Sequence, residues 1–263
     1  MLADIVLDDE PLWLVDGLIP SGPSLGVFFG KPKSGKTFMT TSLFLHVAMG
    51  RDYCGCAVRP GAVVYITSEG VRGFRRRMVV MREHHEADIA VPFYTVHTMP
   101  NLGMACRDAQ DLISAIHASI PEGTAVAAII VDTLARAMTG QSDSDGAAMG
   151  VFVGNCDTIA RAFGCFVGAV HHSPRNDDSH SRGSNVLDGA ADVIISVVKE
   201  NSSGISTAKV DHLKDGEEGA TWRFRVTPVE VLLRNKTTCF APSAKHWELS
   251  PGKTRPKQGE TKN

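Results

Sequence analysis

Apolar residues in this chain gather in short, nearly continuous runs of five or six residues that are rich in valine, isoleucine, alanine and phenylalanine. Strands that are covered on both faces of a parallel sheet show this pattern, because neither face meets water. We interpret the following runs as buried strands: residues 25–29, 62–66, 126–131, 165–170 and 193–198.

Longer stretches between these runs mix apolar and polar residues as amphipathic helices do. The predicted helices cover residues 71–86, 108–119 and 145–163. The alternation of strands and helices predicts an α/β fold with a mostly parallel central sheet and helices on both faces. After about residue 190 strand follows strand, with runs at 221–226 and 229–233, which predicts a C-terminal antiparallel β extension of the sheet.

The length of the chain favours one domain. Its 263 residues, 43% of them hydrophobic, suffice for one sizeable α/β core. We expect an N-terminal extension over residues 1–24, the domain itself over 25–240, and a disordered tail over 241–263, where polar residues, proline, glycine and lysine dominate.

A phosphate-binding motif, G-x-x-x-x-G-K-T, separates the first buried run from the helical stretch that follows it. The motif and the residue after it are Gly30, Lys31, Pro32, Lys33, Ser34, Gly35, Lys36, Thr37 and Phe38. Its glycines allow a tight turn, so that main-chain N–H groups and the positive end of the helix surround a triphosphate. Lys36 would reach the β- and γ-phosphates and the Thr37 hydroxyl would bind Mg²⁺, so the expected ligands are ATP and Mg²⁺.

Two carboxylates follow buried runs at the edge of the sheet where parallel strands end. Asp132 closes one run and is predicted to hold the Mg²⁺ shell; the alternative is a cap on the next helix. Glu69 follows the run 62–66 and is predicted to orient the attacking water as a general base; the alternative is a solvated loop acid. A hydrolase needs such a base, whereas a kinase uses the hydroxyl group of its acceptor.

Charge and cysteine content limit the partners and the cellular compartment that fit this chemistry. The formal net charge of −2 excludes a globally basic nucleic-acid binder, but not a local basic surface or a channel shared between subunits. The six cysteines form no C-x-x-C pair and are interpreted as reduced thiols. Neither a signal-peptide pattern nor a run approaching 18 apolar residues is present, so we expect no membrane partner and a cytoplasmic location.

Five motifs, in this order, resemble the RecA-like ATPases related to the plasmid RepA replicative helicase and, more distantly, the DnaB helicase core. They are the phosphate-binding loop and residues 65–69, 129–133, 168–172 and 181–185. The resemblance covers about residues 10–235. It implies a RecA-like ATPase domain in a hexameric ring, with ATP sites between subunits and central loops that face single-stranded DNA. A loader or initiator protein is a further expected partner, because no zinc module, winged helix or primase-like domain is attached.

The same resemblance implies roles for two residues near the γ-phosphate. Glu69 corresponds to the catalytic base. His172, which ends a buried run, corresponds to the γ-phosphate sensor, and a neutral imidazole at a strand end can donate to a phosphate oxygen. Its neighbour His171 is expected to be a packed core residue instead.

At the trans-acting finger this sequence departs from the family's pattern. Residues 209–216 resemble the basic strand and turn that reaches the γ-phosphate of a neighbouring subunit. His212 stands at the first basic position, so Lys214 is the candidate finger, although it lacks the fork of an arginine. The plasmid helicase's own finger position falls near Asp192, which cannot serve, and this leaves Arg182 as the other candidate.

Two polar segments rich in glycine and serine leave the same edge of the sheet, after Asp132 and after His172. They supply three candidate DNA contacts, Arg136, Arg175 and Arg182, but no aromatic stacking platform. We expect Arg175 and Arg182 to face the pore. Five further arginines are spread around the helix at 71–86, which favours a solvated or inter-subunit face: Arg72, Arg75, Arg76, Arg77 and Arg82.

Two classes of function follow from these patterns. The first is an ATP-driven DNA helicase or translocase that acts in replication or recombination. The second is a P-loop regulatory or switch ATPase that does not move along DNA. A small-molecule kinase is disfavoured by Glu69 and by the late run of strands.

Overall fold

The computed structural model describes residues 13–105, 107–172, 185–200, 203–232, 238–246 and 250. Its strands are β1 (Trp13–Val15), β2 (Ile19–Pro20), β3 (Ser24–Gly30), β4 (Ala62–Thr67), β5 (Phe93–Val96), β6 (Val126–Asp132), β7 (Phe166–His172), β8 (Val193–Lys199), β9 (Ile205–Leu213), β10 (Thr221–Leu232) and β11 (Thr238–His246). Its helices are α1 (Lys36–Met49), α2 (Val71–His84), α3 (Arg107–Ser119), α4 (Leu134–Ala137), α5 (Gly146–Phe163) and α6 (Asn185–Ala190).

Within the described residues, nine strands form one sheet in the order β11-β10-β9-β8-β3-β7-β6-β4-β5. The strands from β8 to β5 pair in parallel. Strands β9, β10 and β11 then extend the β8 edge with antiparallel pairing. The predicted α/β class is therefore confirmed, including the mostly parallel sheet and its antiparallel C-terminal extension.

Side chains of β3 show how the sheet is covered on both faces. Phe28 faces an apolar layer that α1 and α2 share with the strands. Val27 and Phe29 face a second layer, which is filled from α3, α4, α5 and α6. Neither face of β3 is left to water, which explains why its sequence is a continuous apolar run.

The boundaries of the domain differ from those expected. Residues of β1 and β2 are buried in the layer formed with α1, so part of the expected N-terminal extension belongs to the core: Leu14, Val15, Leu18 and Ile19. At the other end β11 continues to His246, beyond residue 240. Residues 221–226 and 229–232, predicted as two runs, belong to the single strand β10, in which Pro228 lies opposite Pro242.

Parallel pairing brings the carboxyl ends of β3, β7, β6 and β4 to one edge of the sheet. His172 pairs with Gly30, where the phosphate-binding loop begins. Asp132 pairs with Thr67, two residues before Glu69. Ligands of open parallel sheets bind at this edge. Separately, in the described part of the chain none of the helices is long and apolar enough to span a bilayer.

Candidate functional site

The phosphate-binding loop runs from the end of β3 to the start of α1. At Gly30 a β-carbon would lie 2.3 Å from the main-chain oxygen of Val197 in β8, so only glycine fits. Gly35 has a φ of +100°, in the range that favours glycine, and it precedes α1 without a side-chain cap. The uncapped N-terminus of a 14-residue helix therefore opens onto the loop, as anion binding requires.

Lys36 is buried at the mouth of this loop, with 4% of its surface exposed. Its Nζ atom donates to the main-chain oxygens of Gly30 at 2.6 Å and Lys31 at 2.9 Å. Burial lowers the pKa of Lys36 to about 8, against an opposing effect of the Asp132 carboxylate. The ammonium group thus stands among hydrogen-bond acceptors beside the helix N-terminus.

Asp132 lies at the end of β6 and is 3% exposed. The Tyr65 hydroxyl donates to its Oδ2 atom at 2.7 Å, and Thr37 also hydrogen-bonds to its carboxylate. Burial raises the pKa of Asp132, while these two hydrogen bonds lower it. The carboxylate of Asp132 and the hydroxyl of Thr37 offer two hard oxygen ligands, the type that Mg²⁺ takes in addition to nucleotide phosphates.

Glu69 is exposed. In the sheet, β6, which ends at Asp132, lies between β4, which precedes Glu69, and β3, which leads to Lys36. The charge of Glu69 raises the pKa of Asp132 and also that of His172, so it lies within electrostatic reach of both. The Nε atom of Arg136 donates to its Oε1 atom at 3.0 Å. The predicted DNA contact Arg136 is therefore an ion-pair partner of the predicted base.

His172 ends β7 and is half-buried beside the start of the loop. Burial lowers the pKa of His172 and the charge of Lys36 lowers it further, against an opposing effect of Glu69, which favours the neutral imidazole. Its Nδ1 atom is buried and has no hydrogen-bond partner among the described residues. A polar atom of this kind suits a ligand that is not part of the chain.

A cavity of about 340 Å³ is lined by Lys36, Thr37 and His172 and by residues of the sheet extension. The guanidinium of Arg77 lies over the ring of Phe38, 5.2 Å from its centroid, and Lys199 and Ser206 line the opposite side. Burial lowers the pKa of Arg77, whereas Tyr65 and Asp132 raise it. The cavity is thus cationic and lies between the loop, α2 and β9.

The residues present fit a nucleoside triphosphate with Mg²⁺. A β-carbon would fill the turn at Gly30, and the buried Ser34 Oγ atom has no partner among the described residues. The Ser206 hydroxyl supports the loop from β9 by donating to the Ser34 main-chain oxygen at 2.8 Å. Main-chain N–H groups, an ammonium group and two oxygen ligands therefore meet at one place.

One predicted residue, Lys214, does not join this cluster. Lys214 follows β9 beside the start of β8, at the end of the strands that lies away from the phosphate-binding loop. There its Nζ atom donates to Asp192 Oδ1 at 3.2 Å. Its main-chain N–H group donates to the Asp192 main-chain oxygen at 2.8 Å. Arg175 and Arg182 lie outside the described residues.

Two residues of the site were not predicted. Tyr65 appeared as one more member of an apolar run, although its hydroxyl is the only side-chain polar group in residues 62–66. Arg77 was placed on a solvated or inter-subunit face, yet it packs over Phe38 and Phe74 and lines the cavity. The spacing of three residues from Phe74 to Arg77 is a signal that could have placed both on one face of α2.

Fold and site together define a RecA-like P-loop ATPase. The sequence model of the AAA domain family AAA_25 matches residues 4–178, more than half of the chain, so the chain belongs to this family. A search of curated proteins gave no match.

Among solved structures, the crystal structure of the RadB recombinase is similar, with a TM-score of 0.52 and 18% sequence identity. The match covers 79% of this chain and 89% of the recombinase chain. At this identity the likeness concerns the fold.

Proposed function

We propose that the chain is an ATP-hydrolysing motor of the plasmid RepA helicase group, which forms a hexameric ring with ATP sites between subunits and moves along single-stranded DNA in replication or recombination. The observation that carries this proposal is the position of Glu69, which follows β4 beside Asp132 and accepts from the Thr133 hydroxyl at 3.5 Å, at the edge of the sheet where the loop begins. A carboxylate placed there serves hydrolysis, because attacking water needs a base.

The loop and its neighbours bind the triphosphate in this proposal. Main-chain N–H groups of residues 31–37 surround the phosphates, and Lys36 turns from the main-chain oxygens of Gly30 and Lys31 to the β- and γ-phosphates. Thr37 and Asp132 would hold Mg²⁺, which would supply positive charge to neutralise the charge that develops on the phosphates.

Glu69 orients a water molecule and receives its proton as the water attacks the γ-phosphorus. The bond from phosphorus to the bridging oxygen breaks, and ADP leaves with the electron pair. His172 donates to a γ-phosphate oxygen and loses this contact when phosphate departs. Since His172 leads directly into residues 173–184, its contact can report hydrolysis to that segment.

The ring and the DNA contacts rest on the resemblance of the motifs. Lys214 lies at the edge of the sheet opposite its own loop, so its role as a finger concerns the site of a neighbouring subunit. Arg136, Arg175 and Arg182 are the proposed DNA contacts. A loader or initiator protein and a cytoplasmic location complete the proposal, and the free thiols of Cys54, Cys56, Cys156 and Cys165 suit that compartment.

The test compares ATP hydrolysis by the wild-type protein and Glu69→Gln, with and without an oligothymidylate strand, while the mass in solution is recorded. Glu122→Gln is the matched control, because Glu122 is an exposed acid that precedes β6 at the other edge of the sheet. We expect DNA-stimulated turnover in a hexamer-sized wild-type particle, unchanged in the control. Turnover in Glu69→Gln should fall about 10²- to 10⁴-fold.

Hydrolysis that ignores DNA, in a monomer or dimer, would instead support a P-loop regulatory or switch ATPase. Full activity of Glu69→Gln would remove Glu69 from the mechanism.

A further inference from the structure

An ion pair joins the proposed catalytic base to the segment that follows Asp132. The Nε atom of Arg136 lies 3.0 Å from Glu69 Oε1, and the Thr133 hydroxyl lies 3.5 Å from the same oxygen. The Arg136 side chain is 62% exposed and that of Glu69 is 44% exposed. The pair is therefore open to solvent while it occupies one oxygen of the carboxylate.

The position of the pair connects two parts of the molecule. On one side Glu69 lies beside the end of β6, where the hydroxyl of Thr133, the residue after Asp132, donates to its Oε1 atom. On the other side Arg136 belongs to α4, only four residues beyond Asp132. A group that binds Arg136 from solvent can thus change the state of Glu69 without entering the nucleotide cavity.

We infer that Arg136 is a positioning residue that restrains Glu69 in the free protein, and that the phosphodiester backbone of single-stranded DNA releases Glu69 by binding the Arg136 guanidinium. This inference rests on the proposed ATPase function and specifies how DNA would stimulate it. While Glu69 Oε1 accepts from Arg136 and from the Thr133 hydroxyl, the carboxylate is held toward α4, so it is less able to turn to the attacking water and turnover is slow. Release of the oxygen restores the base.

Two comparisons of interaction energy favour a change of partner, in which Arg136 leaves Glu69 and binds a DNA phosphate. Exposed ion pairs contribute little net free energy, because both side chains lose rotamer freedom and solvent screens the charges. A guanidinium binds phosphate through two parallel hydrogen bonds, which makes arginine–phosphate contacts stronger than a one-point contact with carboxylate.

One acid of the segment that follows Asp132 is held by a helix of its own. Asp145 is already used as the cap of α5, where its Oδ1 atom accepts from the Ala147 main-chain N–H group at 2.8 Å. Its charge therefore faces the positive end of that helix.

The test measures basal and oligothymidylate-stimulated ATP turnover for wild type, Arg136→Gln and Arg136→Lys. The matched control is Arg107→Gln, which takes an exposed arginine out of an ion pair with Asp111 on α3, away from the site. Thermal melting of each variant establishes that it folds. Inorganic polyphosphate serves as a second polyanion, which separates recognition of a nucleic acid from bare negative charge.

We expect Arg136→Gln to raise the basal kcat several-fold, to leave KM for ATP unchanged and to lose the response to oligothymidylate. Arg136→Lys keeps a cation at the carboxylate, so it should restore both the low basal rate and part of the response. Arg107→Gln should behave as wild type, and polyphosphate should stimulate wild type less than oligothymidylate does.

The inference is overturned if Arg136→Gln keeps the wild-type basal rate and response, or if it abolishes basal hydrolysis, because Arg136 would then support Glu69 instead of restraining it. Equal stimulation by polyphosphate overturns DNA as the releasing ligand. Absence of ATP hydrolysis in the wild-type protein is a different result, since it contradicts the proposed function itself.

Discussion

The hydroxyl of Tyr65 donates to the Oδ2 atom of Asp132 at 2.7 Å, in the interior between β4 and β6. The same hydroxyl lies 2.9 Å from the Thr40 hydroxyl of α1. Because Thr40 is on the helix that starts in the phosphate-binding loop, this chain of contacts fixes the Asp132 carboxylate, the proposed Mg²⁺ ligand, relative to the loop.

Tyr65→Phe should destabilise the protein, because it leaves the buried Asp132 carboxylate without one of its donors. The expected decrease in the free energy of unfolding is about 1–3 kcal/mol. The lost bond also lets the pKa of Asp132 rise further, so the Mg²⁺ concentration needed for half-maximal activity should increase. Urea unfolding and Mg²⁺ titration of activity measure the two effects. Tyr94→Phe, on the neighbouring β5, is the control, and equal effects of both changes would contradict this account.

Nucleotide affinity should fall as the pH rises above about 8. In the free protein burial lowers the pKa of Lys36 to about 8, whereas a bound triphosphate favours the ammonium form. Below this pH the proton is already present, and above it binding must take up a proton. The dissociation constant should therefore rise up to about tenfold for each pH unit.

Titration of Glu69→Gln with ATP at pH 7.5 and pH 9 measures this dependence without hydrolysis. The charge on the triphosphate changes little in this range, since phosphate monoesters lose their last proton near a pKa of about 6. In the double variant with Lys36→Arg the cation stays charged, so its affinity should not vary. A dissociation constant for Glu69→Gln that is the same at both pH values would show that Lys36 does not titrate here.

Arg77→Ala should weaken ATP binding about tenfold, because it removes a cation from the cavity and the guanidinium that covers the Phe38 ring. Arg76→Ala, an exposed arginine one position earlier on α2, is the matched control. Equilibrium binding of ATP to each variant distinguishes the two positions. Equal affinities for the two variants would show that Arg77 does not contribute to ATP binding, as its predicted place on a solvated face implies.

Acid should destabilise the protein through His85. Its ring packs against His46 with centroids 5.0 Å apart, and against His84 at 5.3 Å. Burial and the nearby positive groups lower the pKa of His85 to about 4, from an ordinary value of 6.5. The unfolded chain therefore binds a proton first as the pH falls below 6.5, so stability is lost between about pH 6.5 and 4.

His85→Gln should remove about 1–2 kcal/mol of this acid-dependent loss, after allowance for partial exposure of the ring. Urea unfolding at pH 7.5 and pH 5 gives the difference for each protein. His117→Gln on α3, where the ring stacks on Phe163, is the control. If His85→Gln and wild type lose the same stability on acidification, His85 is not the responsible group.

The local sequence was sufficient to predict the strand, loop and helix around the phosphate-binding motif, because these three elements follow one another directly in the chain. It was also sufficient for Asp132 and Glu69 as acids at strand ends. Their partners could not be predicted, since Tyr65 and Arg136 each lie 67 residues from the group they contact. Such pairs are set by the order of strands, which places β6 beside β4.

The two edge strands of the nine-stranded sheet, β5 and β11, escaped prediction for a different reason. β5 has only four residues, none of them buried, so it lacks the apolar run that marks the inner strands. β11 lies at the opposite edge and includes Pro242, Ser243 and Lys245, a composition typical of an edge strand or of a tail. A strand at the edge of a sheet need not be apolar, so composition alone does not distinguish an edge strand from a tail.

The place of β3 in the sheet also sets the time at which nucleotide recognition can arise during synthesis. Its two neighbours, β7 and β8, are both encoded after residue 165. A nascent chain that has not yet released them from the ribosome has β3 without a hydrogen-bonding neighbour, and pairing at such sequence separation is slow. The chain can thus bind ATP only after about three quarters of it has been made. ATP binding by a nascent chain would indicate that β7 and β8 have paired with β3.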